Sequence, residues 1–343
     1  MRNNVLDFYR IIFTIIICLH HFQGMLDNKI IETGYIGVEF FFILSGFFLY
    51  QSYKKNKDDS AVDYTVKKLK RLYPEYIVAF VLCFILQIVK KSENDIVSYI
   101  FKAIPEITLI QNIGIFKGGF NYPLWYLSVL IFGGYLIFEL LKRNEKLFKK
   151  VISPITIIFT FSLLNSAGKG LENWDTIYGI YMPLLRGIAD ISIGVLLANF
   201  VESKYFDVLK RNKGLFYIIE IFSYLCLTYI IIFNSKFEMY SIFFIAIIIC
   251  SANNINSLSY KLFNRKVFGK IGKITYSMYL NHASFIMIVS YLYKKILYKN
   301  VSAFLIIGIY FITLILYAVV SNKIINRICD NYKKQCELEK EKI

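Results

Sequence analysis

The chain has 343 residues, 57% of them hydrophobic and 17% aromatic, with a mean hydropathy of +0.51. That is more apolar surface than a soluble core could hide, which excludes a soluble globular domain and leaves a polytopic membrane protein. The net charge of +16, from 40 basic and 24 acidic residues, does not imply nucleic acid, because Lys and Arg are spread over loops where topology and anionic membrane lipids account for them.

Runs of about twenty predominantly apolar residues predict an all-α transmembrane bundle of about ten spans, at 9–25, 35–51, 72–89, 124–141, 151–165, 180–200, 214–233, 238–251, 274–293 and 302–321. Charge placement tests the count. Segments on the side of the N-terminus (1–8, 52–71, 142–150, 201–213, 252–273 and 322–343) hold 28 of the 40 basic residues. The opposite segments (26–34, 90–123, 166–179, 234–237 and 294–300) hold 10, and only Arg10 and Arg186 lie within spans. Cytoplasmic loops collect Lys and Arg, so both termini are expected in the cytoplasm, in a multi-pass protein of the cell membrane.

The first run, FYRIIFTIIICLHHF, places Arg10 and His21 eleven positions apart, on one helix face about three turns from each other. A guanidinium and an imidazole are costly in lipid and belong where a protein interior or watery cavity needs them. His20 points roughly 100° away and does not share a pocket with His21 equally. No small-residue cleavage site follows, so this run is expected to stay as the first span. Asp7, three residues before Arg10, is expected to fix its guanidinium. The second run carries Glu39 and the pair Ser45-Gly46, which permits close helix approach.

KKLKRLYP then sets Lys67, Lys68, Lys70 and Arg71 just before Pro74, expected at a helix start, as a grip for phosphates. Trp125 and Tyr126 open the fourth span. In the sixth, an i, i+4 ion pair with Asp190 would satisfy Arg186 in place. Tyr276, Ser277 and Tyr279 precede His282, expected interior and hydrogen-bonded. The six cysteines lack paired spacing, so neither disulfides nor a metal site is expected. One membrane domain, 1–322, is followed by a short charged cytoplasmic tail, 323–343.

Five segments together resemble one family. LDFYR with His21, GVEFFFILSGFFLY (37–50), KKLKRLYP (67–74), PLWYLSVL (123–130) and GKITYSMYLNH (272–282) are similar, in order, to the motifs of the membrane-bound acyltransferase 3 family. The likeness covers essentially the whole chain. Many members have a Glu-rich element after the Trp of the fourth span, where this chain has no carboxylate until Glu139. Many also carry a C-terminal extracellular hydrolase-like domain, so a second catalytic partner, where one exists, is expected on another polypeptide.

The resemblance implies transfer of an acyl group, usually acetyl from acetyl-CoA, to a hydroxyl of a carbohydrate or glycolipid. An imidazole with an ordinary pKa near 6.5 suits proton removal from that hydroxyl, which makes His21 the expected base, with a transient acyl-imidazole as the rival route. His21 lies about 16 Å beyond Arg10 along the helix. Arg10, Lys70 and Arg71 at the inner rim are expected to hold the phosphates of coenzyme A, with Ser45 and Tyr276 contacting the donor. Glu39 is expected to orient His21 or meet sugar hydroxyls, Arg186 to stabilise the oxyanion, and Trp125 and Tyr126 to stack on the acceptor. A transporter or flippase of a lipid-linked glycan or small anion also buries Arg, Glu and His, and a membrane-bound O-acyltransferase uses a deep His; coenzyme A binding separates the first from an acyltransferase 3 enzyme. The oligomeric state is not legible.

Overall fold

The structure is a computed structural model that describes residues 2–26, 29–90, 96–116, 118–233, 235–296 and 301–340. Parts of four expected outer loops (27–28, 91–95 with 117, 234, and 297–300) and the end of the expected tail, 341–343, lie outside the described residues.

Helix α1 (Asn4–Gln23) starts where Asn3 caps it, its Oδ1 accepting the Val5 and Leu6 N–H groups at 3.0 and 3.2 Å. Its face of Val5, Leu6, Tyr9, Phe13 and Ile17 is buried. α2 (Gly37–Lys55) runs back beside it, bringing Phe48 within 5.2 Å of the Arg10 guanidinium. α3 (Ala61–Lys90) departs from the expected start at Pro74. A capping box begins it thirteen residues earlier: Ser60 Oγ accepts the Asp63 N–H at 3.1 Å and Asp63 accepts the Ser60 N–H at 3.0 Å. The basic run is therefore mid-helix.

Within the expected loop 90–123 lies α4 (Ile96–Ile107). α5 (Trp125–Leu147) turns at Asn144, whose φ of −159° is not helical, into α6 (Ser153–Ser166). The strands β1 (Thr176–Ile177) and β2 (Ile180–Tyr181) form a two-residue hairpin, with Tyr178 and Gly179 both at positive φ as such a turn requires. α7 (Met182–Val201), α8 (Lys204–Arg211), α9 (Lys213–Phe233), α10 (Ser241–Ala252), α11 (Leu258–Phe263), α12 (Lys266–Ile271), α13 (Thr275–Tyr291) and α14 (Ala303–Lys340) complete the bundle. The expected tail continues α14 as helix.

Seven helical segments among the described residues are long and apolar enough to cross a membrane, against ten expected. One of them, the 45-residue segment Tyr122–Ser166, contains two of the expected spans either side of the Asn144 turn. α10 and α13, at 12 and 17 residues, are shorter. Contacts sort helix ends into two groups nonetheless. At one end Asn3 donates to the Ala252 carbonyl at 2.8 Å and Asn4 to Asn264 at 3.0 Å, and Tyr50 bridges Glu145 and Asn199 at 2.7 and 3.1 Å. At the other, Thr33 donates to the Ile230 carbonyl at 2.9 Å, and Glu238 accepts from Tyr35 and from the Leu171 N–H.

α2 and α7 form the closest seam. A Cβ at Gly46 would overlap the Ile191 carbonyl, and one at Gly194 would overlap the Ile43 carbonyl, so the two backbones touch where each chain has glycine. Ser45-Gly46 thus serves helix approach. Away from the centre, Val81, Ile85 and Val89 of α3, Ile218, Phe222 and Leu225 of α9, and Leu305, Ile312 and Leu316 of α14 are exposed, an apolar outer surface suited to lipid.

Candidate active site

His21 sits near the end of α1, its ring stacked on that of His282 from α13, with centroids 5.2 Å apart and planes 19° apart. Tyr122 meets it edge-on at 5.0 Å. His282 is completely buried, and its Nδ1 lies 2.5 Å from the Tyr279 carbonyl. A carbonyl only accepts, so Nδ1 carries the proton, and the Nε2 lone pair has no partner among the described residues. His282 is interior and bonded, as expected; its stacking on His21 was not visible from the sequence. His20 turns toward Tyr35, at 5.4 Å.

A small cavity of about 40 Å³ opens against His21, lined also by Tyr122, Trp125, Arg186, Glu172 and Trp174. Arg186 is buried at its edge, with its guanidinium 5.4 Å over the Trp125 ring. The ion pair expected with Asp190 is not the one formed. Arg186 Nε lies 3.3 Å from Glu39 Oε1 across the α2–α7 seam. The glycines bring the two helices so close that the first turn of α2 supplies the nearer carboxylate. Asp190 sits buried beside Glu39, and neither of its oxygens has a hydrogen-bond donor among the described residues. Partial burial raises the Glu172 carboxyl above its ordinary value, against the pull of Arg186.

The remaining expected residues lie outside this cavity. Arg10 binds Asp7 at 2.7 Å, which confirms that pairing, while Arg2 holds the same carboxylate. Ser45 Oγ is 3.2 Å from the Tyr126 hydroxyl, and Tyr276 donates to the Leu72 carbonyl at 3.0 Å. Arg71 is exposed on α3, near enough to Arg10 and Tyr126 to act on both electrostatically. Lys70 is exposed, whereas Lys68 turns inward to the Tyr64 hydroxyl at 3.0 Å. A file of aromatic rings leads away from His282, Tyr279 to His282 at 5.7 Å and Tyr126 to Tyr279 at 5.6 Å, and Tyr126 is within electrostatic reach of Arg10 and Arg71. The structure therefore brings His21, Trp125 and Arg186 into one cavity, with Glu39 behind Arg186. It sets Arg10, Arg71, Ser45, Tyr126 and Tyr276 along the approach.

The segment holding Tyr122 and Trp125 is fixed by Glu106, a residue without an expected role. Its carboxylate accepts the Phe120 and Asn121 N–H groups at 2.6 and 3.0 Å, and Asn121 donates to the Leu280 carbonyl at 2.9 Å. Burial pushes the Glu106 carboxyl up to about 7, and the two N–H groups hold it from rising further. The run of Ile, Val, Phe and Ala over 96–104 was the sequence signal for a helix there.

The profile of the acyltransferase domain family matches residues 3–321 of this chain. The chain belongs to that acyltransferase 3 family. Among curated relatives, a Staphylococcus aureus (strain COL) protein provisionally named an O-acetyltransferase is 25% identical over 325 residues, covering 84% of this chain and 51% of the relative. The peptidoglycan O-acetyltransferase of Listeria monocytogenes is 24% identical over 290 residues, covering 76% of this chain and 46% of the relative. The chain spans about half the length of the curated relatives it matches. No solved structure matches it. Among the described residues of this acyltransferase domain, no group of three or more His, Cys, Asp or Glu side chains comes together as metal ligands, and Cys18, Cys83, Cys226, Cys250 and Cys329 are free thiols.

Proposed function

We propose that the protein is an integral-membrane O-acetyltransferase that moves acetyl from acetyl-CoA to a hydroxyl of a cell-surface carbohydrate. The observation that carries this reading is the cavity shared by His21 and Arg186, from which the aromatic file leads to Tyr126, within electrostatic reach of Arg10 and Arg71. The relative named for peptidoglycan supports a glycan of that kind as acceptor.

In this reading the chain crosses the cell membrane ten times, with both termini in the cytoplasm, and α10 and α13 cross as short helices between the two sets of contacts. Arg10 and Arg71, with Lys70 beside them, take the phosphates of the nucleotide end from the cytoplasmic side. The thioester extends past Ser45, Tyr126 and Tyr276 toward His21. His21 removes the proton from the acceptor hydroxyl as its oxygen attacks the acetyl carbonyl. Arg186, held by Glu39, faces the negative charge that develops on the carbonyl oxygen. Collapse expels the coenzyme A thiolate, which takes the proton back from His21. The His282 ring, fixed by the Tyr279 carbonyl, holds the His21 plane.

The deciding experiment is mass spectrometry of cell-surface glycans with and without the protein and with His21→Ala or Arg10→Ala. Each variant is expected to lower acetylation at least about a hundredfold while inserting normally. Full acetylation by folded His21→Ala removes the base assignment, and an unchanged KM for acetyl-CoA in Arg71→Ala removes the phosphate grip.

A further inference from the structure

The outer wall of the cavity comes from a segment to which no function has been assigned, residues 166–181. It contributes Glu172 and Trp174 to the lining. Trp174 is 43% exposed and packs edge-on against Trp125, with ring centroids 4.9 Å apart. Glu172 is partly exposed beside it and makes no hydrogen bond or ion pair among the described residues.

The segment is tied to the rest of the chain through the Tyr181 hydroxyl, which donates to Asn112 Oδ1 at 2.9 Å, and through Glu238. Glu238 accepts from the Leu171 N–H at 2.8 Å and from the Tyr35 hydroxyl, so three separate stretches of chain meet at one carboxylate. Gly170 makes this possible: its φ is +58°, and a Cβ there would overlap Glu238 Oε1. A wet indole face, a second indole edge-on to it, and a free carboxylate next to a buried guanidinium are the chemistry of a site for a ring with one apolar face and a rim of hydroxyls.

We propose that Trp174 and Glu172 form the acceptor subsite, with Trp174 covering one face of a hexosamine ring and Glu172 accepting its hydroxyl protons. Gly170 and Glu238 position both. The proposal rests on the reading that the acceptor is a carbohydrate.

Trp125 and Trp174 are the only two tryptophans in the sequence, so fluorescence excited selectively at tryptophan, apart from the 27 tyrosines, reports on this cavity alone. The purified full chain in detergent micelles, without donor, is titrated with chitotetraose, a soluble N-acetylglucosamine tetramer. Saturable change is expected in the wild type. Trp174→Ala leaves Trp125 as reporter, and Glu172→Gln keeps the side-chain shape; each is expected to weaken the midpoint about tenfold. Both are expected to raise the KM for the glycan by a similar factor with the KM for acetyl-CoA unchanged, a split that a merely structural role would not give, and Gly170→Ala is expected to follow them.

Unchanged midpoints and glycan KM values in Trp174→Ala and Glu172→Gln, with tetramer acetylation intact, overturn the subsite and leave the carbohydrate reading standing. Acetylation of the tetramer by a wild type that shows no fluorescence change overturns the subsite likewise. A wild type that neither binds nor acetylates it overturns both.

Discussion

Arg186 and Asp190 occupy the same turn of α7 and differ in what their loss costs. Arg186 is the cation facing two buried carboxyl groups, Glu39 at 3.3 Å and Asp190 beside it. Arg186→Met strands both acids in a dry interior and is expected to lower stability by about 3 kcal/mol or more, read as thermal unfolding in detergent. Asp190→Asn removes one of two adjacent acids while preserving shape, and is expected to leave stability unchanged or raised. Equal losses in the two variants would show that Asp190, rather than Glu39, is the working partner. The sequence paired Arg186 along its own helix. The i, i+4 rule sees one helix, and nothing in it reports how near a second helix comes.

For elements, the glycines of the α2–α7 seam set that distance. Gly46→Ala or Gly194→Ala drives a methyl group into the facing backbone and is expected to cost about 2 kcal/mol, with Arg186 and Glu39 moving apart and activity falling along with stability. The α4 segment responds to pH instead. The Glu106 carboxyl, at about 7 when folded, binds its proton more tightly than an unfolded Glu near 4.3, so its contribution to stability is fully present at low pH and is lost as pH rises from about 4.3 through 7. Unfolding followed between pH 5 and pH 8 is expected to show a falling midpoint that Glu106→Gln flattens; an unaltered slope in the variant would remove this assignment. Pro74 and Glu106 mark what was hard to read. The Ser60–Asp63 cap overruled a proline reading, and α4 is too short to count as a membrane span.

Across the whole molecule, the order of long apolar runs, the central place of His21 and the split between two clusters of polar residues were legible, because lipid forces hydrophobic length and costly charges into plain view. The stacking of His21 on His282, separated by 261 positions, was not, since only packing brings α1 and α13 together. Sidedness can be measured directly. In a variant with the six native cysteines replaced by serine, Lys169→Cys is expected to react with a membrane-impermeant maleimide in intact cells, and Lys146→Cys only after permeabilisation. Labelling of Lys146→Cys in intact cells would invert the proposed topology and with it the direction of acetyl transfer.

The bare contact between α2 and α7 also limits how the enzyme can breathe. With main chain against main chain there is no layer of side chains to slide or repack, so these helices travel as one rod carrying Glu39 and Arg186. Whatever widening admits the proposed sugar must be supplied elsewhere, at the hairpin segment or between that rod and the imidazole-bearing helices α1 and α13.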